Sequence, residues 1–143
     1  MANDTQQTDM PSRRQTVEQQ RAKFAWEEVD KVTTSLRASY LSTIRSAPAM
    51  VINNGLGATL AFQLSKGGAQ KVLYEQLERW LCDQNRPALP AQDAAHVGDN
   101  RLVRRLLAAN SARYRRVTDE TLEMVKWLKR FAEANIDGGG AHG

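Results

Sequence analysis

Apolar residues recur along this chain at intervals of three and four, the spacing that places side chains on one face of an α-helix. No segment alternates apolar and polar residues in period two, as a half-buried strand would. Start and stop signals divide the pattern at Ser46-Ala47-Pro48, Gly67-Gly68 and Asn110-Ser111. The pattern therefore predicts an all-α fold, a compact bundle of five or six helices in a single domain with no sheet.

The first two helices are bounded by capping signals. Thr16 and Gln19 form a capping box that begins a helix of about twenty residues, whose apolar face carries Val17, Ala25, Val29, Val32 and Leu36. A Ser46 cap followed by Pro48 begins the next helix. Asn53-Asn54-Gly55 is a turn signal in isolation. We nevertheless expect the helical period to continue across it, because packing can offset the cost of about 1 kcal/mol for a glycine inside a helix.

The later helices follow the same logic. One extends from Ala69 to about Cys82, and the last runs from Ser111 to about Asn135. Between them, Asp99 or Asn100 caps a short helix whose apolar face is expected to hold Leu102, Val103, Leu106 and Leu107.

Domain boundaries follow from where the period stops. Residues 1–14 are polar and are expected to form a disordered N-terminal arm, and residues 15–135 a single α-helical domain. Residues 84–98 contain two of the four prolines and form the one long loop of that domain. Residues 136–143, which end in a glycine-rich sequence, are expected to be a flexible tail.

The distribution of charge along the chain indicates the class of partner. The formal net charge is +4, and residues 1–100 contribute 11 basic and 11 acidic side chains while residues 101–143 contribute 9 and 5. A basic excess confined to the last third favours an anionic partner, most often nucleic acid. The lone Cys82 and an N-terminus without an apolar run favour the cytoplasm, and no apolar run is long enough to cross a membrane.

Residues that could perform catalysis are few. His96 and His142 lie in the long loop and the tail, neither at metal-ligand spacing from a second ligand. Cys82, at a helix end, is expected to be a small buried apolar residue. The glycines match neither the dinucleotide nor the P-loop fingerprint. The sequence thus predicts no catalytic residue, no metal, no cofactor and no small-molecule substrate, so the protein is not expected to be an enzyme.

The arginines of the short helix are the strongest candidates for contact with phosphate. Arg101, Arg104 and Arg105 fall opposite its apolar face with no acid among them, so three unpaired arginines on one exposed face would suit a phosphate backbone. A merely solvated arginine face is an equally favoured alternative. On the last helix, by contrast, the charges are expected to pair at i,i+4 as Arg115–Asp119, Arg116–Glu120 and Lys129–Glu133.

The aromatic residues are expected to belong to the core. They fall on or near apolar stripes, so contact with the nucleic-acid backbone is favoured over stacking on bases. The residues concerned are Trp26, Phe62, Trp80, Trp127 and Phe131.

Beyond these patterns, an ordered set of short motifs resembles a known family, the small α-helical subunit of the type III-B CRISPR effector, the Cmr complex. The resemblance covers about residues 15 to 135, whereas the 84–98 loop and the N-terminal arm are not part of it. Its motifs are Asn54-Gly55-Leu56, Leu60-Ala61-Phe62, Ser65-Lys66, the Trp80-Leu81 helix end, Tyr114-Arg115, Thr118 with Glu120 and Leu122, and Trp127-Leu128-Lys129-Arg130-Phe131-Ala132.

This resemblance implies a non-catalytic building block of an RNA-guided antiviral ribonucleoprotein. In that family copies of the small subunit stack beside other Cmr subunits, and a basic surface lines the channel in which guide RNA and target RNA pair. Base pairing would then supply specificity, and the protein would contact only the RNA backbone. We expect the RNA contacts to come from Arg101, Arg104, Arg105, Arg113, Lys66 and Lys71.

Two other classes of function remain open. The runner-up is a stand-alone helical nucleic-acid-binding or regulatory protein, although the sequence has no clear helix-turn-helix signature. The third is a pure interaction module, for which exposed apolar residues of the long loop, such as Leu89 and Val97, would matter most. An enzyme is a distant fourth.

Overall fold

The structure, a computed structural model, describes residues 17–91 and 97–136. No strand occurs within these ranges, and the all-α prediction is confirmed. The regular elements are α1 (17–30), a 3-10 turn (Thr34–Leu36), α2 (Arg37–Asn54), α3 (Leu56–Lys66), α4 (Gly68–Cys82), α5 (Arg101–Ala108) and α6 (Ser111–Asn135).

Several predictions concern positions outside the described residues. They are the N-terminal arm over 1–14, the Thr16 cap, His96 in the loop, and the tail residues 137–143 with His142.

The core lies where α2 packs against α4 and α6, and α3 completes it by packing on α2 and α4. The helical period explains the arrangement, because each helix turns its three-and-four-spaced apolar residues toward this centre. The largest fully buried side chains include Tyr40, Ile44, Leu60, Leu73, Leu77, Met124 and Leu128. Among the helices described, none is both long enough and apolar enough to cross a bilayer.

Helix α1 ends six residues earlier than its apolar period suggested. The prediction carried the helix through Leu36, but α1 stops at Asp30 and the chain turns. The following β-branched and hydroxyl residues favour the helix poorly. In addition, the Arg37 guanidinium donates to the carbonyl oxygens of Val32 (3.1 Å) and Asp30 (3.3 Å). A side chain from the next helix therefore satisfies carbonyl groups that a longer helix would have bonded itself.

The predicted helix start at Ser46 and Pro48 is wrong. Pro48 lies inside α2, and the Ser46 hydroxyl donates to the carbonyl oxygen of Thr43 (3.0 Å) instead of capping a helix. An internal proline costs one backbone hydrogen bond. The helix nevertheless continues through Pro48, because Ala47 before it and Val51 after it are both buried and belong to one packed face of α2.

The predicted continuation through Asn53-Asn54-Gly55 is also wrong. α2 ends at Asn54, and Gly55 has φ 88° and ψ 157°, a conformation open essentially only to glycine. Gly55 separates α2 from α3, and the Tyr114 hydroxyl accepts a hydrogen bond from the Gly57 N–H (2.8 Å) just beyond the corner. The predicted breaks at Gly67-Gly68 and at Asn110-Ser111 are confirmed, and the Asn110 side chain caps α6 by accepting from the Arg113 N–H.

Ion pairs hold α1 against the rest of the bundle. Arg21 binds both carboxylate oxygens of Glu120 on α6, each at 2.9 Å, and the Trp80 indole N–H donates to the same carboxylate (2.9 Å). On the next turns Glu28, only 3% exposed, accepts two hydrogen bonds from Arg79 of α4 (2.6 and 3.1 Å). α1 is thereby joined to both α4 and α6 by charged groups.

These contacts set the protonation of Glu120. Burial alone would raise its pKa, but the hydrogen bonds from Arg21 and Trp80 and the charge of Arg21 outweigh burial and lower it below the ordinary value. Because the pKa is lower in the folded state, the ionised carboxylate stabilises the fold above the unfolded-state pKa of about 4.3. This stabilisation is lost as the pH falls through the folded-state value.

Glu120→Gln is therefore expected to cost about 1 to 3 kcal/mol of unfolding free energy at pH 7 and distinctly less at pH 3. Urea unfolding at the two pH values measures this difference. Glu123→Gln is the matched control, because Glu123 forms a surface pair with Lys126 and, among the described residues, makes no hydrogen bond to Arg21. An equal loss at both pH values would show that the Glu120 charge does not stabilise the fold.

Gly55→Ala is expected to cost about 1 to 3 kcal/mol, because a side chain is strained at this backbone conformation. The cost is measured by urea unfolding. Ala58→Ser, an exposed change on the neighbouring helix, should alter stability by no more than about 0.5 kcal/mol. A Gly55→Ala variant as stable as the control would mean that the α2–α3 corner adopts a different conformation.

Candidate nucleic-acid interface

Helix α5 is held at its N-terminus by a carboxylate from α4. Asn100 occupies the N-cap position but makes no side-chain cap, contrary to the prediction for Asp99 or Asn100. Instead Glu78, 8% exposed, accepts from the Leu102 N–H (3.1 Å) and from the Tyr74 hydroxyl (3.0 Å). A carboxylate at this position satisfies an unpaired backbone donor and complements the helix dipole.

Arg101 is engaged in ion pairs. Its guanidinium binds Glu78 at 3.0 Å and both carboxylate oxygens of Asp83, one of them at 2.9 Å. The hydrogen bond to Asp83 is the main reason that the pKa of Arg101 is raised. The predicted lack of an acidic partner is therefore wrong, because the partners lie on α4 and just after it in sequence, beyond the reach of helical spacing.

Arg105 is a buried structural residue, 7% exposed. Its guanidinium donates to the carbonyl oxygen of Leu89 (3.0 Å) and lies 3.4 Å from that of Cys82. Arg113 acts similarly, donating to the Ala88 carbonyl oxygen (3.0 Å) from a half-buried position. Both arginines tie the segment after α4 to the bundle.

Arg104 is exposed, but its guanidinium donates to the carbonyl oxygens of Val97 and Asp99, both at 2.6 Å. The predicted face of three unpaired, exposed arginines is thus wrong as a description of α5. The opposite face differs too, since Leu102 and Leu106 are buried while Leu107 is 74% exposed. Whether these arginines contact RNA stays a prediction.

Lys66 and Lys71, the two lysines among the predicted RNA contacts, have side chains that are available for binding. Lys66 ends α3 and Lys71 lies in the first turn of α4, on either side of the Gly67-Gly68 break. Both side chains are exposed, and neither has an ion-pair or hydrogen-bond partner within 17–91 and 97–136.

The i,i+4 ion pairs predicted on α6 do not form. Glu120 binds Arg21 of α1 instead of Arg116, and Glu133 binds Arg45 of α2 (3.0 Å) instead of Lys129. Arg115 and Arg116 are left exposed and without partners in the described part of the chain. Sequence reasoning excluded them because acids stand at the right spacing, and only the competing partners on other helices reverse that conclusion.

The prediction that the aromatic residues are core is wrong for two of the five. Trp26 is 48% and Phe62 39% exposed, whereas Trp80, Trp127 and Phe131 are half-buried at the edge of the core. The Trp26 ring stands edge-on to Phe131, with ring centres 5.3 Å apart. Aromatic surface is therefore accessible on this protein. The reason given from the sequence for favouring backbone contact over base stacking does not hold for Trp26 and Phe62.

The remaining candidates are placed as follows. Cys82 is buried as predicted, and burial raises the pKa of its thiol to about 11. Of the two loop residues singled out for an interaction module, Val97 is 52% exposed, but Leu89 is buried, contrary to the prediction. The described residues contain no group of three or more side chains that could hold a metal ion.

Arg105→Ala is expected to destabilise the fold by about 2 kcal/mol, because it leaves buried carbonyl groups without a donor. Arg115→Ala provides the matched control and should change stability by less than about 0.5 kcal/mol. Thermal and urea unfolding of both variants test the assignment. Equal stability of the two would contradict a structural role for Arg105.

A family comparison agrees with the motifs. Residues 17–135 match the model of the family described as CRISPR-associated protein (Cas_Cmr5). The matched range begins with the first described residue of α1 and ends with the last residue of α6, so it includes every helix described here.

Proposed function

This chain belongs to the Cas_Cmr5 family of CRISPR-associated proteins, the small subunits of the type III-B Cmr complex, and we propose that it is a non-catalytic structural subunit. It stacks with copies of itself and with other Cmr subunits, and its basic surface supports the pairing of guide RNA with target RNA. The family match over all the described helices is the observation that carries this proposal.

The charge distribution supports contact with RNA. Residues 101–116, which form α5 and the start of α6, contain six arginines and no acidic residue. Arg115 and Arg116 have no partner within the described residues, so their guanidinium groups can bind phosphate without first breaking an internal contact. We therefore include Arg115 and Arg116 with Lys66 and Lys71 in the proposed contact set.

The other predicted contact residues have a supporting role. Arg101, Arg105 and Arg113 hold α4, α5 and the segment after α4 in place. Arg104 is exposed at the start of α5, and its guanidinium donates to the carbonyl oxygens of Val97 and Asp99. It lies at the edge of the proposed surface.

Such a surface suits a duplex whose sequence is read by base pairing. A guide–target duplex presents A-form phosphates, and contact with them carries no sequence information. Specificity then comes from the guide, and the protein needs only correctly spaced cations. The proposed complex acts in the cytoplasm, where RNA transcripts are accessible.

Purification of the tagged protein from its native host tests the proposal. We expect other Cmr subunits in the mass spectrum and, bound to them, short RNAs that share a repeat-derived end. Recovery of the protein alone or with unrelated DNA would contradict the proposal and favour a stand-alone nucleic-acid-binding protein.

Arg115→Glu with Arg116→Glu is expected to lower the affinity of the assembled complex for target RNA by about tenfold or more. Loss of two phosphate contacts per copy should also reduce the slope of log K against log salt by about 1 to 2 for each bound copy. Filter binding at several salt concentrations measures both quantities.

Lys129→Glu with Arg130→Glu serves as the charge-matched control for this pair, because it changes the net charge equally near the other end of α6. If the two double variants behaved alike, the loss would reflect net charge, and the proposed location of the surface would be wrong.

A further inference from the structure

A groove of about 930 Å³ lies beside α1, and none of its described lining residues comes from α3 or α5. It is lined by residues of α1, of the end of α4 and of the segment after α4, together with Glu120 of α6. Its volume falls within the range of known small-ligand sites. Neither the family match nor the proposed RNA surface assigns it a role.

Two aromatic rings in contact with each other line the groove. Phe24 and Trp80 lie with ring centres 5.1 Å apart at an angle of 48°, and both are half-buried, so part of each ring remains accessible. The hydrogen bond from the Trp80 indole N–H to Glu120 fixes that ring, and Arg21 holds Glu120 in turn. An incoming planar group would therefore meet a preformed stacking surface.

The charges at the rim favour an anion. Lys23 and Arg86 are exposed and have no partner within the described residues. Of the three acids in the lining, Glu120 is bound by Arg21 and Asp83 is bound by Arg101, which leaves Glu27. Two available cations thus face a single available carboxylate.

The groove also contains side-chain amide groups. Gln20 and Asn85 line the groove, and neither side chain has a hydrogen-bond partner in the described ranges. An amide offers both donor and acceptor, the combination that recognises the edge of a nucleobase.

From this combination we infer that the groove binds an unpaired nucleotide of an RNA strand. The base stacks on Phe24 and Trp80, amides meet its edge, and Lys23 and Arg86 bind the flanking phosphates. This contact uses side chains other than those of the proposed backbone surface and concerns nucleotides outside a duplex.

The lining favours a nucleotide over a peptide. An apolar peptide side chain would need aliphatic walls, but among the described lining residues the aliphatic ones are Val17 and Ala88. Stacking, amide hydrogen bonds and available cations instead match the parts of a nucleotide one by one.

The test uses the full chain and two labelled probes, a single-stranded oligouridylate of about six nucleotides and an RNA duplex of equal length. Fluorescence anisotropy gives the affinity for each. Phe24→Leu keeps apolar volume but removes the ring, and should weaken single-strand binding about tenfold while leaving duplex binding unchanged. Lys23→Glu with Arg86→Glu, which alters only exposed side chains, should weaken it at least as much.

Lys129→Glu with Arg130→Glu again controls for net charge, and circular dichroism confirms that each variant is folded. The inference is wrong if the wild-type chain does not bind the single strand, if neither groove variant loses affinity, or if the charge control loses as much. A preference for an apolar peptide over the oligonucleotide would likewise overturn it.

Ultraviolet crosslinking in the purified complex separates this inference from the proposed function. Crosslinks from Phe24 or Trp80 to RNA support the groove, and sequencing of the attached nucleotide tells whether guide or target supplies it. If Cmr subunits and RNA co-purify but crosslinks form only elsewhere, the groove inference fails while the proposed function stands. If the isolated chain binds the single strand in the groove but no Cmr subunit co-purifies, the proposed function fails instead.

Discussion

Three consecutive residues near the end of α4 join it to three different helices, and the rest of the arrangement depends on these contacts. Glu78 caps α5, Arg79 binds Glu28 of α1, and Trp80 donates to Glu120 of α6. Successive side chains on a helix point about 100° apart, so one short stretch can reach three neighbours. Buried ion pairs add little net stability compared with apolar packing, but an unpaired buried charge is costly. We infer that these contacts select one packing of the helices among several that the apolar stripes alone would allow.

The same contacts decide which cations remain available. Arg21, Arg79 and Arg101 are used to neutralise Glu120, Glu28 and Glu78. Because Glu120 is bound by Arg21, it cannot pair with Arg116 on its own helix, which leaves that guanidinium in solvent. The bonds of α1 and α4 to Glu120 also hold Trp80 beside the groove. Internal pairing thereby determines which cations remain available for the proposed RNA surface and holds an aromatic ring in the lining of the groove.

Local signals in the sequence were sufficient for the fold class and for some boundaries. The Gly67-Gly68 break, the Asn110 cap and the end of α6 were all predicted, because each depends on neighbours within one turn. The end of α1 was not, since it depends on Arg37 of the next helix. At Pro48 and at Gly55 two local patterns conflict, a capping or turn signal and a continuing apolar period, and the structure follows the period at Pro48 but the turn signal at Gly55. The family resemblance was carried by motif order and is confirmed by the match over 17–135.

The candidate site was harder to predict, for a physical reason. A helical wheel shows which charges share a face but not which acids approach from other helices, so Arg101 was expected to be unpaired and Arg115 to be paired. The exposed fraction of an aromatic side chain also depends on which residues of other helices cover it. Trp26 follows the apolar period of α1, yet the bundle covers only about half of it. Charge pairing and aromatic exposure are tertiary properties, and the sequence pattern limits them only weakly.

The proposed RNA surface has few basic side chains without an internal partner, and this number limits how tightly one copy could bind RNA. Each cation that meets a phosphate releases about one counterion, so a handful of contacts gives weak binding at physiological salt. In the proposed assembly, copies stacked along one RNA strand would share it, and each bound copy would raise the effective concentration for the next. Weak backbone contact per copy would then become strong contact for the assembly. In that proposal, the use of Arg101 and Arg105 inside the fold would keep the number of phosphate contacts per copy small.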